Sequence, residues 1–139
     1  MDLGIEPYLA ASSLLGVLAQ RLIRRVCPHC TTMAPLNEVD RRRLGLDDGT
    51  DGQSVARGTG CGHCFDTGYF ERIGIFELLE INNEIRNLIG AQPNATALHE
   101  AARRAGMSTL RGDALAKLWV GQTTAEEVVR VTHREGTEK

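Results

Sequence analysis

The chain has 139 residues, enough for one ordinary domain or for a small module joined to a helical one. Only 42% of the residues are apolar and 4% are aromatic, so a modest core has to rest on aliphatic side chains. The net charge of −2 argues against a dedicated nucleic-acid-binding protein, which usually carries a strong basic excess.

The first segment is predicted to be a helix. Glu6-Pro7 is a plausible start, because proline is tolerated in the first helical turn, and apolar residues recur at helical spacing from there to Val26. The first half of this helix is bare of charge, and such a segment normally packs against other structure on most sides. We therefore expect its packing partner to lie outside this chain.

Neither a signal peptide nor a membrane span is expected. Met1 leads into a segment without the basic and apolar regions of a secretory signal. Polar and charged residues interrupt the longest apolar-rich stretch, which runs from Tyr8 to Val26. The expected compartment is a reducing cytosol, where Cys-x-x-Cys pairs more often bind metal than form disulfides.

The four cysteines carry the most specific chemical signal in the sequence. They form two Cys-x-x-Cys pairs, Cys27 with Cys30 and Cys61 with Cys64. A two-residue spacer lets both thiolates of a pair face one ion, and two pairs complete a tetrahedral shell. The sequence therefore predicts one structural zinc ion in a closed site that leaves no position for a substrate.

A redox role is the competing interpretation, because the first pair reads Cys-Pro-His-Cys, as in some periplasmic thiol oxidants. That chemistry needs the first cysteine at a helix N-terminus, and residues 31–35 are a poor helix start. His29 and His63 could each replace a cysteine as ligand, but four thiolates saturate the ion. We expect both histidines to be exposed, and we assign His99 and His133 no role.

The connector between the pairs is predicted to be polar and largely irregular. Residues 35–44 can form a short polar helix, while residues 45–60 have the composition of a mobile loop. After the second pair, a strand is predicted within Tyr69–Ile81.

Four helices are predicted after Ile81, each with a capping residue or a closing glycine. The predicted fold class is mainly α with a small β element, in which a zinc-bound tetracysteine subdomain precedes a C-terminal helical subdomain. The residues expected at the helix ends are Asn82 or Asn83 and Ile89, Thr96 and Gly106, Ser108 and Gly121, and a capping box from Thr123 to Glu126.

No catalytic signature is present in the sequence. It lacks the phosphate-binding Gly-x-x-x-x-Gly-Lys-Ser/Thr loop, the His-Glu-x-x-His zinc motif and the Gly-x-Ser-x-Gly nucleophile motif. On its own residues, the chain is predicted to be a zinc-stabilised module without an active site.

Seven motifs run in order along the chain and resemble those of secretion and pilus-assembly ATPases, specifically the type II secretion system ATPases (the GspE family). The resemblance extends from Met1 to about Thr132. The motifs are DLGIEP at 2–7, SSLLGVLAQRL at 12–22, CPHC at 27–30, GCGHC at 60–64, TGY at 67–69, GIFELL at 74–79 and EEVVRVT at 126–132.

The resemblance implies that this chain is the C-terminal part of a motor whose Walker A loop, acidic boxes and histidine box lie upstream. The segment alone should therefore not hydrolyse ATP. The implied division is 1–26 as the last helical part of a RecA-like ATPase core, 27–81 as the tetracysteine zinc-binding subdomain, 82–132 as the C-terminal helical subdomain and 133–139 as a flexible tail.

Full-length proteins of this kind are hexameric ATPases at the cytoplasmic face of the bacterial inner membrane, where they power pseudopilus assembly. The resemblance implies zinc in this segment, with ATP and magnesium bound mostly by residues outside it. The implied partners are the rest of the ATPase core, neighbouring subunits and inner-membrane platform proteins, with no nucleic acid and no transmembrane segment. Arg21 would lie near a subunit interface, where a nucleotide-binding, interface or structural role is open.

Two alternatives are kept. One is a segment of a type IV pilus assembly ATPase, and the other is a free-standing zinc-ribbon adaptor that binds protein or nucleic acid. The adaptor would need basic and aromatic residues around the cysteines; Arg41–Arg43 supply charge, but aromatic residues are scarce. A Walker A coding stretch upstream of Met1 would decide for an ATPase.

Overall fold

A computed structural model of the protein describes residues 4, 6–46, 52–91 and 94–132. These residues form six α-helices and four strands, so a mainly α fold with a small β element is confirmed, although the sequence predicts only one of the four strands. The elements are α1 (Pro7–Ser13), β1 (Gly16–Val26), β2 (Thr31–Pro35), α2 (Glu38–Arg43), β3 (Ser54–Gly58), a 3-10 turn (Gly62–Cys64), β4 (Tyr69–Glu80), α3 (Asn83–Gly90), α4 (Ala95–Arg104), α5 (Leu110–Trp119) and α6 (Ala125–Thr132).

The prediction of one helix from Pro7 to about Val26 is wrong beyond Ser13. α1 ends at Ser13, and β1 takes the place of the rest, so the segment 1–26 is helical only over α1 among its described residues. Pairing with the distant strand β4 supplies backbone hydrogen bonds that no local pattern reveals, and it outweighs the helical spacing of the apolar residues. Gly16 marks the close approach, because a Cβ there would lie 3.2 Å from the carbonyl oxygen of Leu79.

β1 and β4 run antiparallel. The backbone N–H of Ile81 donates to the carbonyl oxygen of Leu15 at 3.0 Å, and that of Cys27 donates to the carbonyl oxygen of Gly68 at 3.0 Å. The residue numbers therefore rise along one strand as they fall along its partner, which is the antiparallel arrangement. β4 confirms the strand predicted within Tyr69–Ile81.

The second sheet pairs β2 with β3 in an antiparallel register, from Thr31 opposite Gly58 to Pro35 opposite Ser54. β3 lies inside the stretch 45–60, so the prediction of a loop over that whole stretch is wrong. Two adjacent side chains of β3 are buried, which explains why this polar sequence is ordered. A run of two apolar residues is too short to predict a strand.

Asparagine side chains cap three of the helices. The side-chain oxygens of Asn37, Asn82 and Asn94 each accept a hydrogen bond from the backbone N–H three residues further on, at 2.7–2.9 Å. Asn82 is a predicted cap, whereas Asn94 replaces the predicted cap Thr96, because asparagine is a stronger cap than threonine. Asn37 opens α2, so that helix is shorter than the predicted helix 35–44.

The last helix starts one residue later than predicted. Thr124, and not Thr123, accepts a hydrogen bond on its Oγ1, from the backbone N–H of Glu127 at 3.2 Å. The Thr123 hydroxyl donates instead to the carbonyl oxygen of Arg24 at 2.8 Å. The predicted pairing of Thr123 with Glu126 in a capping box is therefore wrong, because a contact with β1 occupies the first threonine.

The chain clusters into two compact units, each made of two separated stretches. The first unit comprises Met1–Ala19 and Phe76–Thr109, and the second comprises Gln20–Ile75 and Leu110–Lys139. The first unit has a core cluster of Ile81, Ile85, Ala101 and Ala102. The second unit holds the buried side chains of Ile23, Leu44, Val55, Ile75, Leu118 and Val128, together with all four cysteines.

The predicted division of the chain at residues 26, 81 and 132 stays a prediction about the longer protein. Residues 47–51 of the predicted loop and the predicted tail 133–139, which includes His133, lie outside the described residues. Among the helices that the structure describes, none has the length and apolar character needed to cross a lipid bilayer.

Candidate metal centre

The four cysteine side chains converge on one point in the second unit. All four Sγ atoms lie within 4.8 Å of one another. The sulfur of Cys27 is 3.8 Å from that of Cys61, the sulfur of Cys30 is 3.8 Å from that of Cys64, and the sulfurs of Cys61 and Cys64 are 3.7 Å apart. Zinc–sulfur bonds of about 2.3 Å give a tetrahedron whose sulfur–sulfur edges are about 3.8 Å. The observed spacing therefore fits a four-thiolate zinc site.

The same distances exclude disulfide bonds, whose sulfur–sulfur length is about 2.05 Å. All four cysteines are free thiols in the structure. Cys27 and Cys64 are buried, while Cys30 and Cys61 are half-buried. The four sulfurs form one cluster with similar spacings and not two separate pairs, so the arrangement favours metal binding over thiol oxidation.

Each Cys-x-x-Cys segment is a tight turn closed by its own backbone. The N–H of Cys30 donates to the carbonyl oxygen of Cys27 at 3.3 Å, and the N–H of Cys64 donates to that of Cys61 at 3.1 Å. The first turn joins β1 to β2, and the second lies between β3 and β4. The two turns are thus equivalent in local structure and come from opposite ends of the connector.

Backbone hydrogen bonds also tie each turn to the segment that flanks the other. The Thr59 N–H donates to the carbonyl oxygen of Cys30 at 3.0 Å, and the Cys27 N–H donates to that of Gly68 at 3.0 Å. The hydroxyl of Thr67 donates to the carbonyl oxygen of Cys64 at 2.6 Å. These polar groups beside the sulfurs therefore have their hydrogen-bond partners within the protein.

Two glycines permit this close approach. A Cβ on Gly58 would lie 2.0 Å from the carbonyl oxygen of Gly68, and a Cβ on Gly68 would lie 2.6 Å from that of Gly58. Gly68 also has a φ of +75°, which L side chains rarely adopt. The glycines next to the cysteine turns are consequently a packing requirement of the site.

Cys64 receives two backbone hydrogen bonds on its sulfur. Its Sγ accepts backbone N–H groups from Cys61 at 3.2 Å and from Gly68 at 3.3 Å. Burial acts to raise the pKa of Cys64, but these donors and the neighbouring thiols outweigh it and lower the pKa to about 6. Burial raises the pKa of Cys30 to about 11, against the opposing N–H of Gly60. A bound cation would displace the remaining protons from the cluster.

The two histidines inside the turns are exposed, as predicted, and they touch each other. The rings of His29 and His63 are stacked with their centroids 4.0 Å apart and an angle of 16° between their planes. Neither imidazole belongs to the group of four ligand atoms, which is composed of cysteines alone.

Arg21, the other candidate from the sequence, lies away from the cysteines along β1. Its guanidinium donates to the carbonyl oxygen of Val131 in the last turn of α6 at 2.7 Å. A contact of this kind holds a helix C-terminus, where cations are favourable. The structural role left open for Arg21 thus has a defined partner within the chain.

Sequence reasoning missed the buried carboxylate of Glu127, which is 0% exposed. Arg24 donates to it through its backbone N–H at 3.0 Å and through Nη2 at 2.5 Å, and Arg130 donates through Nε at 2.7 Å. Burial acts to raise the pKa of Glu127, but the two arginines outweigh it and lower the pKa to about 2. The Arg24 guanidinium also lies 3.9 Å from the centroid of the Tyr69 ring. The ion pair between Arg24 and Glu127 thus links β1 to α6.

Comparison with known proteins gives a consistent match over nearly the whole chain. The sequence profile of the family described as "Type II/IV secretion system protein" matches residues 1–130. The type IV pilus assembly ATPase PilB of Thermus thermophilus is 46% identical over 132 residues, which cover 94% of this chain and 15% of that protein. Type II secretion system protein E is 42% identical over 134 residues in Aeromonas hydrophila and over 135 residues in Pseudomonas aeruginosa, covering 96% and 97% of this chain and 26% of each relative. The chain thus spans between 15% and 26% of the length of these curated relatives.

Proposed function

Because the chain belongs to the type II/IV secretion system protein family, we propose that it is the zinc-binding C-terminal part of a type II secretion ATPase. The observation that carries this proposal is the cluster of four free thiols with the edge lengths of a zinc tetrathiolate. The chain's role is mechanical: the ion fixes the geometry of the segment, and ATP is bound and hydrolysed by other residues of the full-length protein.

Cys27, Cys30, Cys61 and Cys64 would hold the zinc ion. When bound, the ion supplies a cross-link between two turns, and a closed shell of four thiolates leaves no position for catalysis. Such binding contributes about 10–16 kcal/mol of apparent folding free energy in small zinc domains. The cross-link joins the end of β1 to the turn before β4, so it would fix one end of the two-stranded sheet that these strands form.

The long strands carry apolar side chains that are exposed in this chain. Leu18 and Leu22, which are four residues apart and therefore share one face of β1, are 59% and 52% exposed. A two-stranded sheet is marginally stable on its own, and exposed apolar residues along it favour contact with further structure. We infer that this surface packs against the rest of the ATPase core in the longer protein. The sequence predicts that an N-terminal helix would make this contact, whereas in the structure the strand β1 occupies that position.

In the proposed setting, the full-length protein is a hexameric ATPase at the cytoplasmic face of the inner membrane. It binds ATP and magnesium mainly outside this segment and couples hydrolysis to the inner-membrane secretion platform through the zinc-held part. Arg21 would then act at or near a subunit interface or nucleotide, in addition to holding α6. Substituting Arg21 in the full-length hexamer and measuring the rate of ATP hydrolysis tests that assignment.

A type IV pilus assembly ATPase is the second candidate. The 46% identity to PilB of Thermus thermophilus favours it. Complementation separates the two: the full-length gene should restore either protein secretion or pilus extension in a strain lacking the corresponding ATPase.

Metal analysis of the purified chain tests the shared part of both candidates. Protein prepared under reducing conditions should contain one zinc per chain, and a Cys27→Ser/Cys61→Ser double variant should contain almost none. A ratio near zero in the reduced wild-type chain, measured beside the variant, would remove the basis of the proposal.

A further inference from the structure

The stacked pair of His29 and His63 bridges the two cysteine turns. Each histidine is the third residue of a Cys-x-His-Cys segment, so the two rings occupy equivalent positions in equivalent turns. The ring centroids are 4.0 Å apart and the planes differ by 16°. Both side chains are exposed, so their contact with each other is not enforced by a surrounding core.

We propose that the stacked imidazoles clasp the two turns together and slow the release of the metal ion. This inference rests on the proposed zinc site. The ion is held by two thiolates from each turn, and it can leave only after one turn moves away from the other. Because each ring is attached next to a ligand, Cys30 or Cys64, that movement must first separate the rings. His29 and His63 are thus positioning residues that act through the ligand turns.

The ring geometry favours a clasp over direct coordination. The lone pairs of imidazole nitrogens lie in the ring planes, and the planes of His29 and His63 are nearly parallel and face each other. The nitrogens of such a pair point side by side and do not converge on one ion. The four sulfurs already have the spacing of a complete zinc shell without an imidazole.

The size of the effect follows from measured aromatic pairs. Stacked or edge-to-face aromatic pairs add stabilisation to a structure. If the rings must separate before zinc is released, losing this stabilisation speeds release by about 2-fold to 12-fold. The expected signature is therefore faster zinc release with the rest of the fold intact.

The experiment measures zinc transfer from the zinc-loaded chain to an excess of a chromogenic chelator at pH 8. The variants are His29→Ala, His63→Ala, the double alanine variant and the double variant His29→Phe/His63→Phe, which keeps two stacked rings without ring nitrogens. Phe65→Ala is the matched control, because Phe65 is an 87% exposed aromatic residue directly after Cys64. Circular dichroism and zinc content before chelator addition report on the fold.

We expect each single alanine variant to release zinc about 2-fold to 12-fold faster, and the double variant to be no faster than either single variant. The phenylalanine pair should restore a rate close to that of the wild type, and the control should not differ from it. Unchanged release rates, or single effects that add in the double variant, would contradict a direct ring contact. If the wild-type chain bound two zinc ions and the double alanine variant only one, the histidines would coordinate a metal ion and the clasp would be wrong.

The two proposals fail in different ways. If the wild-type chain binds no zinc, the metal site itself is wrong and no release can be measured. If it binds one zinc and the histidine variants release it at the wild-type rate, the metal site stands and only the clasp is wrong.

Discussion

Two connections of different chemistry hold the end of β1 within the second unit. One is the cysteine cluster, which would link the end of β1 at Cys27 to the turn before β4 through the proposed zinc ion. The other is the buried ion pair that links Arg24 to Glu127 on α6, 103 positions away. A metal site can be recognised from the short sequence spacing of its cysteines. An ion pair between distant elements produces no recognisable pattern in the sequence of either segment. They also differ in strength, since a four-thiolate site can order a domain while a buried ion pair mainly resists being broken.

Replacing Cys61 with serine breaks the stronger connection. Serine is a poor zinc ligand, so we expect the chain to lose its zinc and at least about 3 kcal/mol of stability, or about 10 °C or more in melting temperature. Thermal melting and zinc content check this on the same sample. Met33→Ala is the control, because Met33 lies in the adjacent strand β2 with its side chain exposed. An unchanged melting temperature after zinc loss would mean that the metal does not hold the fold.

Replacing Glu127 with glutamine breaks the second connection. The amide keeps the shape of the side chain but loses the charge that the two arginines bind, and we expect a loss of about 2–3 kcal/mol. Chemical denaturation of the zinc-loaded protein measures it. Glu126→Gln is a matched control, since Glu126 is the exposed neighbour in the same helical turn, and it should change stability little. Equal effects of the two substitutions would show that burial of the ion pair contributes nothing.

The same pair predicts a pH dependence. The pKa of Glu127 falls from its ordinary value of 4.5 to about 2. A depressed pKa stabilises the folded state fully above the unfolded-state value, and that contribution disappears as the pH falls toward the folded-state value. The stability gap between wild type and Glu127→Gln should therefore be constant above about pH 5.5 and close between about pH 5 and pH 2. Zinc loss at low pH affects both proteins, so the gap between them is the quantity to follow. A gap that widens as the pH falls would contradict the assignment.

A third substitution sharpens the comparison with a contact that should be weak. Glu71 of β4 faces Arg25 of β1 at 3.7 Å, but both side chains are largely exposed, and Glu71 has a φ of +66°. An exposed ion pair contributes little, while the left-handed conformation costs a non-glycine residue about 1 kcal/mol. Glu71→Gly should therefore stabilise the protein by about 0.5–1 kcal/mol.

Glu80→Gly is the control for that substitution, because Glu80 ends the same strand and has no positive φ. Glycine there should destabilise the strand by a similar amount. If Glu71→Gly is as destabilising as Glu80→Gly, the backbone conformation at Glu71 is not strained.

The features that the sequence predicts correctly are local ones. The two Cys-x-x-Cys turns, the strand after them and the cap at Asn82 depend on residues within a few positions of each other, and all of them are present in the structure. β1 could not be predicted, because its apolar spacing also fits a helix and its pairing partner lies some fifty residues further along. Glu127 stands in a charged stretch that suits an exposed helical turn, and its burial depends on a contact with Arg24 that no local pattern reveals.

In the proposed function, one zinc ion bound by four thiolates holds this segment together. X-ray absorption at the zinc edge of the purified, reduced chain tests it directly, because it counts the atoms bound to the metal and measures their distances. We expect four sulfur neighbours at about 2.3 Å and no nitrogen or oxygen neighbour. A shell of two or three sulfurs completed by nitrogen or oxygen would contradict it.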